Sequence, residues 1–376
     1  MRYHIAGAGK GNPGFTAGRN HGAQLRNRQG GKGISEKAGI SHKKNSRSQL
    51  AALIRLTISP CPSRGELRRL LALKSPEELA STLPETDQLS FSLNAALNHG
   101  ITSLAITSAD YPHRLRSIPD PPAVLFIKGS PEVLKGSSVA VIGSRRCSLY
   151  GRKAARKLAG GLSAAGVCVV SGLARGIDAE SHRGAILHCG RTAAVLGGGL
   201  DSIYPAEHSA LAETIARCGC LLSEYPPGVR PTRYSFPERN RIISGLSDAV
   251  VVVEAGERSG TMITVGTALD QGRDVYAVPG EIGRSTSAGT NRLIRDGAGI
   301  ILSAEEFLQD LGLQAEQPEA VSDDPLIKLL RNRELTPDMI ISITGSDRSA
   351  LSSRLLELEL AGQVVRRPGG AFTSVV

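Results

Sequence analysis

Apolar residues between positions 138 and 302 fall into short uninterrupted runs that alternate with longer segments of mixed polarity. The runs predict strands at 138–142, 167–170, 192–196, 220–223, 249–254, 275–278 and 299–302. The segments between them predict helices at about 150–165, 177–188, 207–217, 238–246, 260–271 and 290–296. Runs such as Val167–Val170 contain no polar alternation, which is typical of strands covered on both faces. The pattern therefore predicts an α/β fold of Rossmann-like, doubly wound type with a mostly parallel sheet.

Shorter patterns flank this sheet on both sides. Stretches rich in Leu and Ala before residue 105 predict short helices, and Val124–Lys128 predicts an additional strand at the edge of the sheet. The C-terminal part predicts three helices followed by a hairpin, which is the winged-helix pattern. We therefore predict a disordered basic segment at 1–49, a small helical domain at 50–104, a Rossmann-like domain at 105–312, a linker at 313–324 and a winged-helix domain at 325–376.

Positive charge is concentrated at the start of the chain. The formal net charge is +10, but residues 1–50 contain ten Lys/Arg and a single acidic residue. The other 326 residues contain 35 basic and 34 acidic residues, so they are nearly neutral as a whole. Overall basicity therefore does not indicate that the folded part binds nucleic acid, and only a local cluster of arginines could do so.

Several classes of protein are not favoured by the sequence. No apolar run approaches the ~20 residues of a membrane helix, and the start of the chain lacks the pattern of a secretory leader. The six cysteines form no CxxC pair and no cluster with zinc spacing, and His182 and His188 do not share a helix face. The ATP-binding motif Gly-x-x-x-x-Gly-Lys-Ser/Thr and the dinucleotide motif Gly-x-Gly-x-x-Gly are both missing. We therefore expect a cytoplasmic protein without cofactor, metal site or membrane contact.

Turns rich in glycine and arginine follow the predicted strands. The turn after the first strand reads Gly-Ser-Arg-Arg at 143–146, and the turn after the second reads Ser-Gly-Leu-Ala-Arg-Gly at 171–176. Because the carboxyl ends of parallel strands meet at one edge of a sheet, we expect arginines from these turns to converge on one rim. They are Arg145, Arg146, Arg175, Arg230, Arg233, Arg239 and Arg241. Any one of them could instead be solvated or paired with an acidic neighbour, but the whole set favours a bound anion such as a phosphate.

The amino-acid sequence of these turns resembles that of the DNA-processing protein A family (DprA, also called Smf). The matching segments include Val-Ile-Gly-Ser-Arg-Arg, Val-Val-Ser-Gly-Leu-Ala-Arg-Gly-Ile-Asp, Leu-Ser-Glu-Tyr-Pro-Pro-Gly and Phe-Pro-Glu-Arg-Asn-Arg-Ile-Ile-Ser-Gly. The resemblance covers 105–302 strongly, 325–374 as the winged-helix tail of the family and 50–100 weakly. It implies a non-enzymatic protein that binds single-stranded DNA, dimerises through its Rossmann-like domain and loads RecA recombinase in natural transformation and recombination.

The resemblance also assigns DNA contacts to particular residues. Family contacts carry over to 143–145 and to Arg233, with Asn240 and Arg241 as neighbours, whereas a lysine found in some relatives is replaced here by Ala206. The complete predicted DNA-binding set is Gly143, Ser144, Arg145, Arg146, Ser171, Gly172, Arg175, Arg233, Arg239, Asn240 and Arg241.

Two alternatives remain open from the sequence. The segments 254–261 and 279–281 are similar to parts of the phosphoribohydrolases of the lysine-decarboxylase-like fold, but the Pro-Gly-Gly-x-Gly-Thr loop of those enzymes is not intact here. In the winged-helix tail, the third predicted helix carries both basic and acidic residues. This composition is as consistent with contact to a protein as with reading of the DNA major groove.

Overall fold

The computed structural model describes residues 35–374 with gaps at 60–62, 188–189, 314–323, 331–332, 361–362 and 368, and it describes the backbone alone at 35–46 and 360. The chain forms two units, Met1–Lys44 and Asn45–Val376, and the sheet belongs to the second. Most of the predicted basic segment, nearly all of the predicted linker and His188 lie outside the described residues.

A nine-stranded sheet forms the centre of the second unit. Its strands are β1 (Ile101–Ala105), β2 (Val124–Gly129), β3 (Ser138–Ile142), β4 (Cys168–Ser171), β5 (Thr192–Leu196), β6 (Cys220–Ser223), β7 (Ala249–Val252), β8 (Asp274–Ala277) and β9 (Gly299–Ile300). They are arranged in the order β1-β2-β6-β5-β4-β3-β7-β8-β9. β3 to β9 pair in parallel, whereas β1 and β2 pair antiparallel with their neighbours. The predicted mostly parallel, doubly wound sheet is confirmed.

Twelve described helices precede, link or follow these strands. They are α1 (Ser35–Ile58), α2 (Arg64–Leu71), α3 (Pro76–Ser81), α4 (Asp87–Asn98), α5 (His113–Arg116), α6 (Leu149–Ala164), α7 (Ile177–Leu187), α8 (Ser209–Cys218), α9 (Ser235–Gly245), α10 (Thr261–Asp270), α11 (Ala288–Arg295) and α12 (Ala304–Asp310). None of the helices among the described residues is both long and apolar enough to cross a membrane.

The N-terminal helices pack on the sheet instead of forming a separate core. Leu53 and Ile54 of α1 are buried in the same apolar cluster as Phe126 and Leu221 of the sheet. About 50 residues bury too little apolar surface to be stable alone, so this shared core supplies the stability. α1 also begins at Ser35, inside the segment predicted to be disordered, because a helix anchored at one end extends without a new nucleation cost.

The edge of the sheet differs from the prediction. β1, which the apolar pattern does not predict, pairs with β2 and takes the edge position, so β2 lies inside the sheet between β1 and β6. The expected boundary between residues 104 and 105 therefore falls within a strand. β1 was missed because its residues alternate weakly between buried and exposed, and because the residues that pair with it are 19 to 27 positions away.

The direction of winding changes at β3. β3 pairs with β4 on one side and with β7 on the other, so the loops that leave these strands diverge at the carboxyl edge. A crevice forms where such loops separate, and this is the usual ligand position in open α/β sheets.

The C-terminal part has the predicted winged-helix architecture. It contains α13 (Pro325–Leu330), α14 (Pro337–Thr344), α15 (Arg348–Leu360) and the antiparallel pair β10 (Val364–Arg366) and β11 (Phe372–Ser374). Thr336 caps α14 by accepting from the Met339 N–H at 3.4 Å, and Gly345 ends it with a φ of +68°. Leu330 and Ile340 are fully buried in a core of its own.

Candidate nucleic-acid interface

A cavity of about 600 Å³ opens at the carboxyl edge, beside the point where the winding changes. Its walls come from the loop after β3, the start of α7, the start of α9 and the start of α10. The residues that line it are Ile142, Gly143, Ser144, Arg145, Arg146, Ala174, Asp178, Arg233, Phe236, Pro237, Arg239, Asn240, Ile243, Ser259, Gly260, Thr261, Ile263 and Thr264. Seven of the predicted DNA-binding residues (Gly143, Ser144, Arg145, Arg146, Arg233, Arg239 and Asn240) thus line one cavity, and they come from two separate parts of the chain.

The loop after β3 is held close to the neighbouring strands. A Cβ atom on Gly143 would lie 2.7 Å from Ile177 Cγ1 and 2.8 Å from the Glu254 carbonyl oxygen, so only glycine fits. The Ser144 N–H donates to the same Glu254 carbonyl at 2.7 Å, and the Arg146 N–H donates to Ser144 Oγ at 3.1 Å. This backbone framework directs the two following arginines into solvent.

Three exposed arginines at this cavity have guanidinium groups without a carboxylate partner, although Arg233 donates to the Tyr234 hydroxyl. Arg145, Arg146 and Arg233 have no carboxylate within 4.0 Å among the residues that the structure describes. The Arg145 guanidinium lies 5.4 Å from the centre of the Phe236 ring, and that of Arg233 lies 4.6 Å from the Tyr234 ring. Unpaired guanidinium groups are well suited to phosphate, because they offer several donors in one plane.

Aromatic side chains accompany these arginines, and sequence reasoning gave them no role. Phe236 lines the cavity, and the Tyr204 ring lies 5.7 Å from it. Tyr204 and Tyr234 are 56% and 64% exposed. A signal was available, because aromatic residues are only 3% of the chain and three of them flank arginine-rich turns. Cations beside exposed rings suit a ligand that has both phosphates and aromatic bases.

Three predicted contact residues are used inside the protein instead. Arg239 is 5% exposed, and its Nη1 donates to the carbonyl oxygens of Gly172, at 2.7 Å, and Val195. Ser171 is buried, and its Oγ donates to the Val141 carbonyl at 2.7 Å. These hydrogen bonds give Ser171, Gly172 and Arg239 structural roles next to the cavity, which Arg239 also lines, and their contact with DNA stays a prediction.

Asp178 is the one acidic residue among those that line the cavity. It is buried at the start of α7, where its carboxylate accepts from the Gly172 N–H at 3.2 Å and the Ala174 N–H at 3.4 Å. Burial raises its pKa, against the opposing effect of the nearby Arg239 guanidinium. Asp178 and Arg239 therefore offset each other below the cavity.

Two other predicted arginines are paired with carboxylates away from the cavity. Arg175 binds both carboxylate oxygens of Glu207, at 2.8 and 2.7 Å. Arg241 binds Glu224 at 2.9 and 2.8 Å and Asp120 at 3.1 Å, and it is largely buried. Neither lines the cavity, and the exposed Arg230 does not line it either. The expected convergence of seven arginines is therefore reduced to Arg145, Arg146 and Arg233, which have no carboxylate partner, and the buried Arg239.

The groups that an enzyme would need are otherwise occupied. The Glu254 side chain is 1% exposed and accepts from the Ser148 N–H at 2.8 Å and the Ser148 hydroxyl at 2.5 Å. His182 is buried against Thr192 Oγ1 at 2.7 Å, and burial lowers its pKa to about 3, so it is a neutral core residue. Within the described residues, no three acidic, His or Cys side chains are grouped to hold a metal ion.

Comparison with known proteins places the chain in a family. Residues 102–312 match the family model of DNA recombination-mediator protein A, and residues 313–370 match the DprA winged helix domain. Protein Smf of Escherichia coli is 42% identical over 276 residues, which cover 69% of this chain and 74% of the relative. DNA processing protein DprA of Bacillus subtilis is 45% identical over 220 residues, which cover 58% of this chain and 74% of the relative.

Solved structures agree with this relationship. The X-ray structure of DNA processing protein A from Streptococcus pneumoniae has a TM-score of 0.57 and 35% identity, and the match covers 74% of this chain and 98% of that one. The Helicobacter pylori DNA processing protein A, described by its single-stranded DNA binding mode, has a TM-score of 0.52 and 30% identity, with 56% and 95% covered. The chain therefore belongs to the DprA/Smf family of DNA recombination-mediator proteins, as its turn motifs predicted.

Proposed function

We propose that this protein binds single-stranded DNA in the cavity at the carboxyl edge of its sheet. The observation that carries the proposal is the grouping of Arg145, Arg146 and Arg233 at one cavity, all exposed and without a carboxylate partner among the described residues. The Arg145 guanidinium lies over the Phe236 ring, and that of Arg233 lies over the exposed Tyr234 ring. Guanidinium groups attract the phosphates, and an exposed ring stacks with any base, so the site needs no particular DNA sequence.

The wider role that we propose is delivery of bound strands to RecA recombinase in natural transformation and recombination. DNA processing is the function named for the B. subtilis and S. pneumoniae relatives, and single-strand binding is named for the H. pylori protein. We further propose a cytoplasmic homodimer formed through the Rossmann-like domain, acting without a catalytic step. The other predicted domain boundaries remain part of this proposal, but the one between residues 104 and 105 falls within β1, and the helices before residue 100 share the core of the sheet.

A nucleotide phosphoribohydrolase is the second candidate and is less well supported. Such an enzyme needs a carboxylate that can reach the ligand, but Glu254 is occupied by Ser148, and Asp178 is buried among backbone donors. Release of free base from nucleotide monophosphates by the purified protein would favour this candidate over the binding function.

The winged-helix tail fits a protein contact better than major-groove reading. Arg348 of α15 pairs with Asp338, and Arg354 pairs with Asp324 and with Glu357 at 2.7 Å. Paired arginines are poor anchors for phosphates, because each contact with DNA must first break an existing ion pair. A mobility shift of duplex DNA by residues 320–376 alone would contradict this assignment.

The direct test measures fluorescence anisotropy of labelled oligo-dT and of a matched duplex at two salt concentrations. We expect the single strand to bind more tightly, with an affinity that falls as salt increases. Arg145→Ala should weaken binding by about 10- to 100-fold, the value of one charge-assisted hydrogen bond, and should lower the salt slope by ~0.7.

Arg175→Ala is the matched control, because this arginine is also exposed but is paired with Glu207 outside the cavity. We expect it to change the affinity by less than about 5-fold, as for a surface ion pair. Equal losses for both variants, or none for Arg145→Ala, would show that the cavity does not hold the DNA.

A further inference from the structure

A second cavity of about 390 Å³ lies at the carboxyl end of β8 and has no role in the function proposed above. It is lined by Tyr150, Pro279, Gly280, Glu281, Arg284 and Ser287. Arg284 is paired with Glu281 at 3.0 Å, so the lining is close to neutral and offers aromatic, aliphatic and backbone surfaces.

The two cavities are neighbours along the same sheet edge. Arg146 lines the first and Tyr150 lines the second, and the four residue steps from one to the other span at most ~14 Å of chain. The segments that follow and precede their walls are also linked, because the Gly289 N–H, two residues after Ser287 of the second cavity, donates at 2.8 Å to the carbonyl of Ala255, four residues before Ser259 of the first. A flexible strand that fills the first cavity can therefore reach the second without crossing the protein.

The chain segment that links the two cavities, the loop after β3 and α6, carries no negatively charged side chain. No Asp or Glu occurs between residues 136 and 177, which include the loop after β3 and all of α6. Lys153 is exposed and has no carboxylate within 4.0 Å among the described residues. Because it stands three positions after Tyr150, both side chains project from the same face of α6. A phosphate chain that passes Arg146 therefore next meets an aromatic ring and another cation.

The second cavity is preorganised around the Tyr150 ring. The Tyr150 hydroxyl donates to the Pro279 carbonyl at 2.9 Å, which fixes the ring while leaving the side chain 48% exposed. The Asn291 side chain holds Gly280 by two hydrogen bonds of 3.0 Å, one to its N–H and one to its carbonyl. A fixed, exposed ring costs little entropy to stack against, so it suits an unpaired base.

Nearby apolar side chains are left in solvent. Leu149 is 75% exposed beside Tyr150, and Ile282 is 95% exposed in the loop that forms the cavity wall. Exposed apolar side chains at a cavity rim can cover the face of a base that has left its stack. We propose that a single strand leaving the first cavity crosses the first turn of α6, contacts Lys153 through a phosphate and stacks one base on Tyr150 in the second cavity.

This inference rests on the proposed single-strand binding at the first cavity, and a length series separates the two. Anisotropy is measured with labelled oligo-dT from ~4 to ~16 nucleotides, the range of single-strand site sizes. Short oligonucleotides report the first cavity alone, and we expect an additional gain in affinity once the strand is long enough to reach Tyr150.

Tyr150→Ala should remove this gain, about 5- to 100-fold for one stacked base, while leaving the short oligonucleotides unaffected. Tyr150→Phe keeps the ring and loses only the hydrogen bond to Pro279, so it should retain most of the gain. Lys153→Ala should lower the salt slope by ~0.7 for long strands only, and Lys74→Ala, at an exposed lysine between α2 and α3, is its control.

Each outcome decides a different point. Losses of equal size for short and long strands in Tyr150→Ala, or no length-dependent gain in the wild type, overturn the second site. If Tyr150→Ala melts at a lower temperature than the wild type, the binding of long strands by Lys153→Ala and Tyr150→Phe still tests the second site. Unchanged binding of short strands by Arg145→Ala would instead overturn the proposed function itself.

Discussion

Replacement of Arg239 by methionine tests whether this arginine supports the cavity or contacts DNA. Its guanidinium is buried and donates to the carbonyl oxygens of Gly172 and Val195, while burial lowers its pKa to about 10. It therefore remains charged at neutral pH. Methionine has a similar length but no donor, so the change removes the hydrogen bonds while filling most of the space.

The size of the effect follows from the groups left behind. Two buried carbonyl oxygens lose a charged donor, at about 1.5–3 kcal/mol each, and Asp178 loses the cation that offsets its charge. The cost of burying the guanidinium is recovered at the same time, so we expect a net loss of about 2–4 kcal/mol. For a domain of this size, that lowers the melting midpoint by roughly 5–15 °C.

Urea unfolding followed by circular dichroism measures the loss, and anisotropy with oligo-dT measures binding below the transition. Arg239→Met should unfold at a lower urea concentration than the wild type but bind oligo-dT nearly as tightly. Arg145→Ala should unfold at the same urea concentration as the wild type but bind oligo-dT more weakly. Arg239→Lys keeps the positive charge but lacks the planar guanidinium group, so its stability should lie between those of the wild type and Arg239→Met. Normal stability with lost DNA affinity in Arg239→Met would refute the reasoning.

Three further predictions concern the loop and core beneath the cavity. Gly143→Ala should lower the free energy of unfolding in urea by about 1–3 kcal/mol and weaken oligo-dT binding, because its Cβ atom overlaps Ile177. Gly266→Ala is the control and should not lower the free energy of unfolding, because no atom lies within 4 Å of the new Cβ. Glu254→Gln should cost about 1–3 kcal/mol, since an amide cannot accept both hydrogen bonds from Ser148, and an unchanged midpoint would contradict this. The contribution of His182 should make the protein less stable as the pH falls below about 6.5. In that range His182 gains a proton in the unfolded chain, whereas in the folded protein it stays neutral down to a pH of about 3. The slope is at most ~1.4 kcal/mol per pH unit, and it should be smaller in His182→Asn than in the wild type when unfolding is measured at several pH values.

Local patterns in the sequence were sufficient for most of the fold. Strands covered on both faces must be continuously apolar, so runs such as Ser138–Ile142 and Thr192–Leu196 were located at their observed bounds. Glycine turns at the carboxyl ends then indicated the ligand edge, because all parallel strands end there. β1 was missed because a short, half-exposed strand is stabilised by its partner and not by its own residues.

The tertiary structure alone decided which arginines are free. The partners of Arg175 and Arg241 are carboxylates 32 and 17 positions away, brought into contact by helix packing that no spacing rule predicts. Burial of Arg239 likewise depends on how α9 crosses the ends of β4 and β5. The sequence by itself thus determined the family, the parallel sheet and the edge at which we propose that a phosphate chain binds. Which guanidinium groups remain for that chain was settled by long-range pairing, because the availability of a charge depends on its neighbours in space.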